Sequence, residues 1–570
     1  MSASKKGEAA KGSPKDSQKK SPKGSIWWRE GVFYQIYPRS FKDTNGDGVG
    51  DLNGITDRLD YLNDGTENSL GIDAIWLSPI NPSPMFDFGY DVSDYKDIDP
   101  AFGNLTDFKR LLKEAHKRGI RIVLDFVPNH TSHLHEWFLE SRSSKDSPKR
   151  DWYIWQDRGS FRGGRPNNWQ SVFGGPAWEL DEKTGQFYYH HFLKEQPDLN
   201  WRNKKVRKAM YDQMRFWLDM GVDGFRLDVI NHIFKDEKLR SNPYTIGIRP
   251  YDMQKHLYDK ELPECVEVAR EMRSVVDSYG KEGSGVERML VGEVFSKDPV
   301  KAAEFYGNGM DRLNLVFNFD FFFNHFRAEA FREAISLWED LLPDRAWPTY
   351  FLSNHDQPRH ISRYGRGSED EIVMRARVAA TMLLTLKGTP FLYYGEEIGM
   401  RNLHIKKQDL QDPVGIRYWP VPVGRDMART PMQWDDTVGV GFTQSSKPWL
   451  PINPNRSYIN VKAELKNKDS LLSFYRNLIW KRKGTPSLTS GSIEILRGTP
   501  KGIFAYRRVK GDDSRLVLLN FKGCKRTIAQ NIIGGEKEVR YSVDFSTHRA
   551  GGDDVKFPLE VWPYEATILR

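Results

Sequence analysis

Short apolar runs bounded by polar turn residues recur from about residue 30 to 400, and between several of them lie stretches with helical spacing. Residues 31–37, 72–77, 120–127, 224–229, 289–293, 313–319, 349–352 and 390–394 read as eight strands. Residues 55–62, 108–118 and 206–220 carry helical periodicity, and Gly119 and Gly221 supply stops for the last two. Strands apolar almost throughout must be covered on both faces, as parallel strands are. Eight such units in alternation predict an α/β fold, a closed (β/α)8 TIM barrel.

Two stretches break the alternation. Residues 131–196, rich in Trp, Asn, Gly and Pro, are too long for a simple connection and predict an inserted subdomain after the third strand. A second irregular insertion runs from about 400 to 470. Past about 485 the pattern changes to short alternating strands, 503–506, 515–520 and 561–569, which predict a separate C-terminal antiparallel β-sandwich domain over 485–570. The barrel is then expected over 25–130 and 197–484.

The net charge of +8 is mostly local. Residues 1–24 hold seven Lys against Glu8 and Asp16, which leaves 78 basic and 75 acidic residues elsewhere. This Lys/Ser/Gly/Pro-rich tail lacks the apolar residues to fold, so it is expected to be disordered. It has no apolar h-region of a secretory signal. No apolar stretch is long enough for an ordinary membrane span, and no broad basic face argues for nucleic acid. Cys265 and Cys524 lie far apart without metal-ligand spacing and read as inert thiols in a reducing cytoplasm.

Four predicted strands end in charged or polar residues: Asp125-Phe-Val-Pro-Asn-His130, Gly224-Phe-Arg-Leu-Asp228-Val-Ile-Asn231, Gly292-Glu293-Val-Phe295 and Ser353-Asn-His-Asp356. Barrel active sites lie at the C-terminal ends of the strands. Residues two apart share a strand face, so Arg226 and Asp228 should point together, with Phe225, Leu227 and Val229 toward the helices. An arginine beside Asp228 would keep it ionised, as a nucleophile requires. Glu293, flanked by apolar residues, should have its pKa raised by desolvation, as a general acid requires. Asp356 adds a third carboxylate, and His130 and His355 are donors suited to sugar hydroxyls. Taken singly, each also reads as a structural ion pair, cap or core histidine; together they form the equipment for cleaving a glycosidic bond.

These segments resemble the conserved regions of the alpha-amylase family of glycoside hydrolases, over nearly the whole chain from Trp27 to Arg570. Val32-Phe-Tyr-Gln-Ile-Tyr-Pro-Arg-Ser-Phe41, Phe88-Gly-Tyr-Asp-Val-Ser-Asp-Tyr95, Gln196-Pro-Asp-Leu-Asn-Trp201 and Ala428-Arg-Thr-Pro-Met-Gln-Trp434 are similar to its oligo-1,6-glucosidase and alpha-glucosidase branch. The resemblance implies Asp228 as nucleophile, Glu293 as acid/base and Asp356 as transition-state stabiliser, with retention of configuration. It implies that Asp87, Tyr90, His130, Phe173, Gln196, Arg226, His355 and Arg429 hold the terminal glucose, Tyr90 as its stacking platform. Val229, directly after Asp228, resembles the α-1,6 type rather than the Ala or Thr of α-1,4 enzymes. Asp43, Asn45, Asp47, Val49 and Asp51, spaced around Gly48, resemble a structural Ca2+ loop, although Gly54 stands where an EF-hand has Glu.

The expected activity is that of a monomeric, retaining, exo-acting α-glucosidase on short isomalto-oligosaccharides. An α-1,4-glucosidase, a sucrose, trehalose or phosphotrehalose hydrolase and a transglucosylase are the alternatives. Phe88, where several isomaltose-cleaving relatives have Asn, leaves room for the first of these. Asn318-Phe-Asp-Phe-Phe-Phe-Asn324 stands where sucrose-isomerising relatives carry a basic loop, which argues against isomerisation. An inert amylase-like interaction domain, as in transporter heavy subunits, would need a membrane helix and would typically lack the full acid set.

Overall fold

The computed structural model describes residues 26–280, 286–534 and 540–570. The basic tail expected over 1–24 lies outside the described residues. Eight parallel strands form one sheet: Phe33–Ile36, Ala74–Leu77, Arg121–Phe126, Gly224–Leu227, Met289–Gly292, Leu315–Val316, Thr349–Phe351 and Thr389–Tyr393. The first strand pairs with the second and the eighth, and a parallel bridge from Phe317 to Thr349 closes the barrel. All eight predicted strands are therefore present. The short helix expected over 55–62 is instead two, Leu52–Asp57 and Leu59–Leu62, divided at Arg58.

Alternation along the strands separates two cores. Phe33, Ala74, Trp76, Val123, Val291, Leu315, Phe317, Phe351 and Phe391 fill the barrel interior. Tyr34, Ile75, Ile122, Phe225, Leu290, Tyr350 and Leu392 face the surrounding helices. The inward positions one pleat step further along are polar: Gln35, Asp125, Arg226, Glu293 and Ser353, all but Glu293 buried. The apolar interior thus ends in a charged layer at the C-terminal mouth.

Within the insertion after the third strand, Gln186–Tyr189 pairs antiparallel with both Trp155–Gln156 and Trp178–Asp181, around Trp169, Trp178, Phe187 and Tyr189. Trp169 Nε1 donates to the Arg240 carbonyl (2.9 Å) and Asn168 Nδ2 to that of Asn242 (2.8 Å), which ties this sheet to the loop after the fourth barrel strand. The C-terminal domain has a six-stranded and a two-stranded antiparallel sheet around its own apolar core. The single strand expected over 561–569 is split. Leu559–Val561 and Ala566–Leu569 belong to different sheets, because Tyr564 takes a left-handed backbone (φ 52°) and turns the chain. Cys265 is buried and Cys524 exposed, both as free thiols, and burial pushes the Cys265 thiol up to about 12.

Candidate active site

Strand register assembles the site. Asp125 pairs with Arg226, and Arg226 with Val291. Leu227 pairs with Gly292, so Asp228 and Glu293 emerge side by side, one residue past the paired ends. Arg226 reaches three carboxylates: Nη1 lies 2.8 Å from Asp125 Oδ1 and 2.6 Å from Asp228 Oδ1, and Nη2 donates to Glu293 Oε2. One cation facing three acids only partly offsets their mutual repulsion. Burial raises the pKa of both, against the opposing pull of Arg226. The elevation of Glu293 is in the direction expected. That of Asp228 is not: desolvation, which the sequence argument weighed for Glu293 alone, outweighs its arginine.

Asp356 behaves oppositely. Burial acts to raise it, yet the polar ring of His355 and the Arg425 and Arg429 guanidiniums outweigh burial and hold the carboxyl well below its usual range. Arg429 Nη2 is 3.0 Å and Arg425 Nη1 3.3 Å from Oδ1. Three carboxyls a few residues from their strand ends are therefore shifted in different directions according to how many guanidiniums each one faces.

Asp87, Tyr90, His130, Phe173, Asp228, Val229, Glu293 and Asp356 line one cavity of about 320 Å³, within the range of small-molecule sites. Gln196, Arg226, His355 and Arg429 are fully buried behind that wall. Gln196 Nε2 donates to Asp87 Oδ2 (3.1 Å), and Tyr90 stacks on His355 with ring centroids 5.4 Å apart. Desolvation pushes His130 down to about 3 and keeps His355 well below its ordinary value, so both are neutral.

Val229 is not turned toward the helices. The strand ends at Leu227 and Val229 takes a left-handed backbone (φ 35°), which breaks the alternation and brings its side chain to the cavity. That conformation is strained for a β-branched residue.

Sequence reasoning missed Arg425. Its Nη2 lies 2.7 Å from both Asp87 Oδ1 and Asp412 Oδ1, and its guanidinium lies over the Phe173 ring at 5.1 Å. It comes from the irregular insertion, where no periodicity marks it; its place four residues before Arg429 was the available signal. Asp125, quoted only as the start of a motif, anchors Arg226. Beyond Val229 the wall turns aromatic: Phe295 and Phe323 are half exposed, and Phe319 completes the group, with Phe295 to Phe319 at 5.3 Å.

The Asp43–Asp51 loop stands apart from this cavity. Asp43 accepts from the N–H groups of Gly46 (2.7 Å) and Gly48 (2.9 Å), Asp47 from that of Val49 (2.7 Å), and Asp51 from those of Thr44 and Gly54 (both 2.7 Å). The all-oxygen donor set suits a hard cation. Its carboxylates are nonetheless turned onto backbone donors, and among the described residues no group of three His, Cys, Asp or Glu is arranged as a metal site.

A barrel with paired carboxyls at its C-terminal mouth is the architecture of a glycosidase, and comparison with known proteins agrees. The alpha-amylase catalytic-domain family matches residues 35–491. The chain belongs to the alpha-amylase family of glycoside hydrolases. It is 42% identical to an oligo-1,6-glucosidase of Parageobacillus thermoglucosidasius, over 96% of this chain and 99% of that protein. It is 38% identical to an alpha-glucosidase of Culex pipiens, over 97% and 92% of the respective chains. Among solved structures it resembles an alpha-glucosyl transfer enzyme, XgtA (TM-score 0.86, 38% identity, 96% of this chain and all of that one). It also resembles the trehalulose synthase MutB of Pseudomonas mesoacidophila MX-45 (TM-score 0.84, 36% identity, 96% and 99%). Among the described residues no helix is long and apolar enough to cross a membrane.

Proposed function

We propose that the protein is a retaining, exo-acting α-glucosidase that removes the non-reducing terminal glucose of short α-glucosides, with α-1,6 linkages preferred. The observation that carries this is the convergence of Asp228 and Glu293 on one guanidinium, in a cavity that the Arg425–Asp87 pair helps to line. Two carboxyls held by one guanidinium lie near each other, which favours the ~5 Å spacing of retaining enzymes over the wider one of inverting enzymes. The ionised carboxylate of Asp228 attacks the anomeric carbon while the proton of Glu293 passes to the glycosidic oxygen, and the leaving sugar departs. Glu293, now ionised, takes a proton from water, whose oxygen displaces Asp228 and regenerates the pair. Asp356, unable to hold a proton near neutral pH, favours positive charge on the ring.

The linkage preference rests on Val229, and the names of several relatives accord with it. Glucose release from isomaltose, maltose, sucrose, trehalose and trehalose 6-phosphate, with Asp228→Asn as the blank, tests it. Isomaltose should be the fastest, and maltose turned over much faster than isomaltose would overturn the preference.

As part of the same reading, the 43–51 loop takes Ca2+ in a structural role through lone pairs that its internal hydrogen bonds leave over. EDTA should then lower the melting temperature, and Ca2+ should restore it. The free thiols and the balanced charge outside the tail accord with a cytoplasmic monomer acting on small sugars.

A further inference from the structure

Gln35, inside the first strand, has no place in the scheme above, yet it lies against His355. Its Nε2 is 2.8 Å from His355 Nδ1 and 3.2 Å from Ser78 Oγ. The direction of the first bond follows from the groups around it. Asp125 receives Arg226 Nη1, Trp76 Nε1 (3.1 Å) and the Tyr90 hydroxyl (2.9 Å), so it can only accept. The single Tyr90 proton is therefore spent on Asp125, and its oxygen must accept from His355 Nε2 at 2.6 Å. Asp356 Oδ2, 3.1 Å from the same nitrogen, is also better faced by an N–H than by a bare lone pair. Nε2 must carry the proton, the neutral ring leaves Nδ1 bare, and Gln35 must donate to it.

We propose that Gln35 is a positioning residue, which fixes His355 in the Nε2–H tautomer and so orients Tyr90 and Asp356 against the sugar. A second observation supports it independently. With both amide hydrogens used, Gln35 Oε1 is left without a protein partner among the described residues, as is Arg226 Nε. Both residues line one small cavity of about 10 Å³, together with Glu293, the room of a single water. A water there would accept from Arg226 Nε–H and donate to Gln35 Oε1, so that one amide braces both the guanidinium under Asp228 and Glu293 and the imidazole beside Asp356.

This inference builds on the proposed function, and its first test does not depend on which sugar is cleaved. In [15N]histidine-labelled protein, with His355 assigned by its loss in His355→Gln, long-range 1H–15N correlation should show a neutral ring protonated at Nε2. A ring protonated at Nδ1 would overturn the proposal. In Gln35→Leu the Nε2–H form should no longer be the sole one, and kcat on 4-nitrophenyl α-glucoside should fall about 100-fold with KM little changed, the scale of a misplaced catalytic group. Gln35→Glu, nearly isosteric but an acceptor toward Nδ1, should lose at least as much. Wild-type kcat in either variant would mean that Gln35 merely fills space. Should the variants not fold, the wild-type tautomer decides.

Discussion

Arg425 and Asp87 meet at 2.7 Å, and both line the cavity that holds Asp228, Glu293 and Asp356. Arg425 belongs to the irregular insertion and Asp87 to the loop after the second strand, so under the exo-acting reading a contact between two distant segments admits chain ends only.

Loosening that contact should change the mode of attack. Arg425→Lys keeps a charge but loses the planar fork that spans Asp87 and Asp412. Glucose release from isomaltose should fall at least tenfold, and oligosaccharides longer than glucose should appear among the products from longer chains. Chromatography of the products reads this directly. Arg425→Ala is the poorer probe, because stranding two buried carboxylates costs about 3–5 kcal/mol of stability.

Removing the acid should matter in proportion to the leaving group. Glu293→Gln is expected to cut kcat/KM on isomaltose by about 100- to 10,000-fold, the usual range for a general acid. On α-glucosyl fluoride, whose leaving group needs no proton, the first step should be nearly unaffected. Comparable losses on both substrates would place Glu293 in another role.

Val229 touches the cavity only because its backbone is left-handed. Val229→Thr keeps the β-branch and adds a hydroxyl beside the leaving sugar. The isomaltose-to-maltose ratio of kcat/KM should drop by about tenfold, within the ~1–3 kcal/mol available from a single small group. An unchanged ratio would show that Val229 does not set linkage.

Acid sensitivity should come from buried histidines. Desolvation holds His130 and His135 at about 3 and His190 at about 4. Unfolded histidines take up a proton near pH ~6.5, so between that value and the folded ones the unfolded chain binds more protons. Stability is therefore full above about pH 6.5 and declines as pH falls toward 4. Melting temperatures across this window should show that slope, and His135→Gln, away from the cavity, should reduce it. Asp356 adds in the same direction at lower pH: its depressed carboxyl contributes stability above its unfolded value, which is lost as pH falls through the folded one.

The sequence marked the eight strands because a strand buried on both faces is apolar nearly throughout, and each acid stands out where such a run ends. Asp228, Glu293 and Asp356 were legible for that reason. Arg425 was not, since irregular backbone carries no period and only the folded chain brings it to Asp87. Val229 was misread because strand alternation was extended two residues past Leu227, where a positive φ ends it. The upward pull of burial on Asp228 was missed because an adjacent arginine is visible in a sequence and full desolvation is not. Gln35 looked like one more strand residue until its position against His355 could be measured.

The most direct measurement of the central claim is covalent trapping. A 5-fluoro-α-glucosyl fluoride, which slows the second step, should leave one glycosyl group on the enzyme, and peptide mass spectrometry should place it on Asp228. A glycosyl ester on any other carboxylate, or turnover with inversion at the anomeric carbon, would contradict the account.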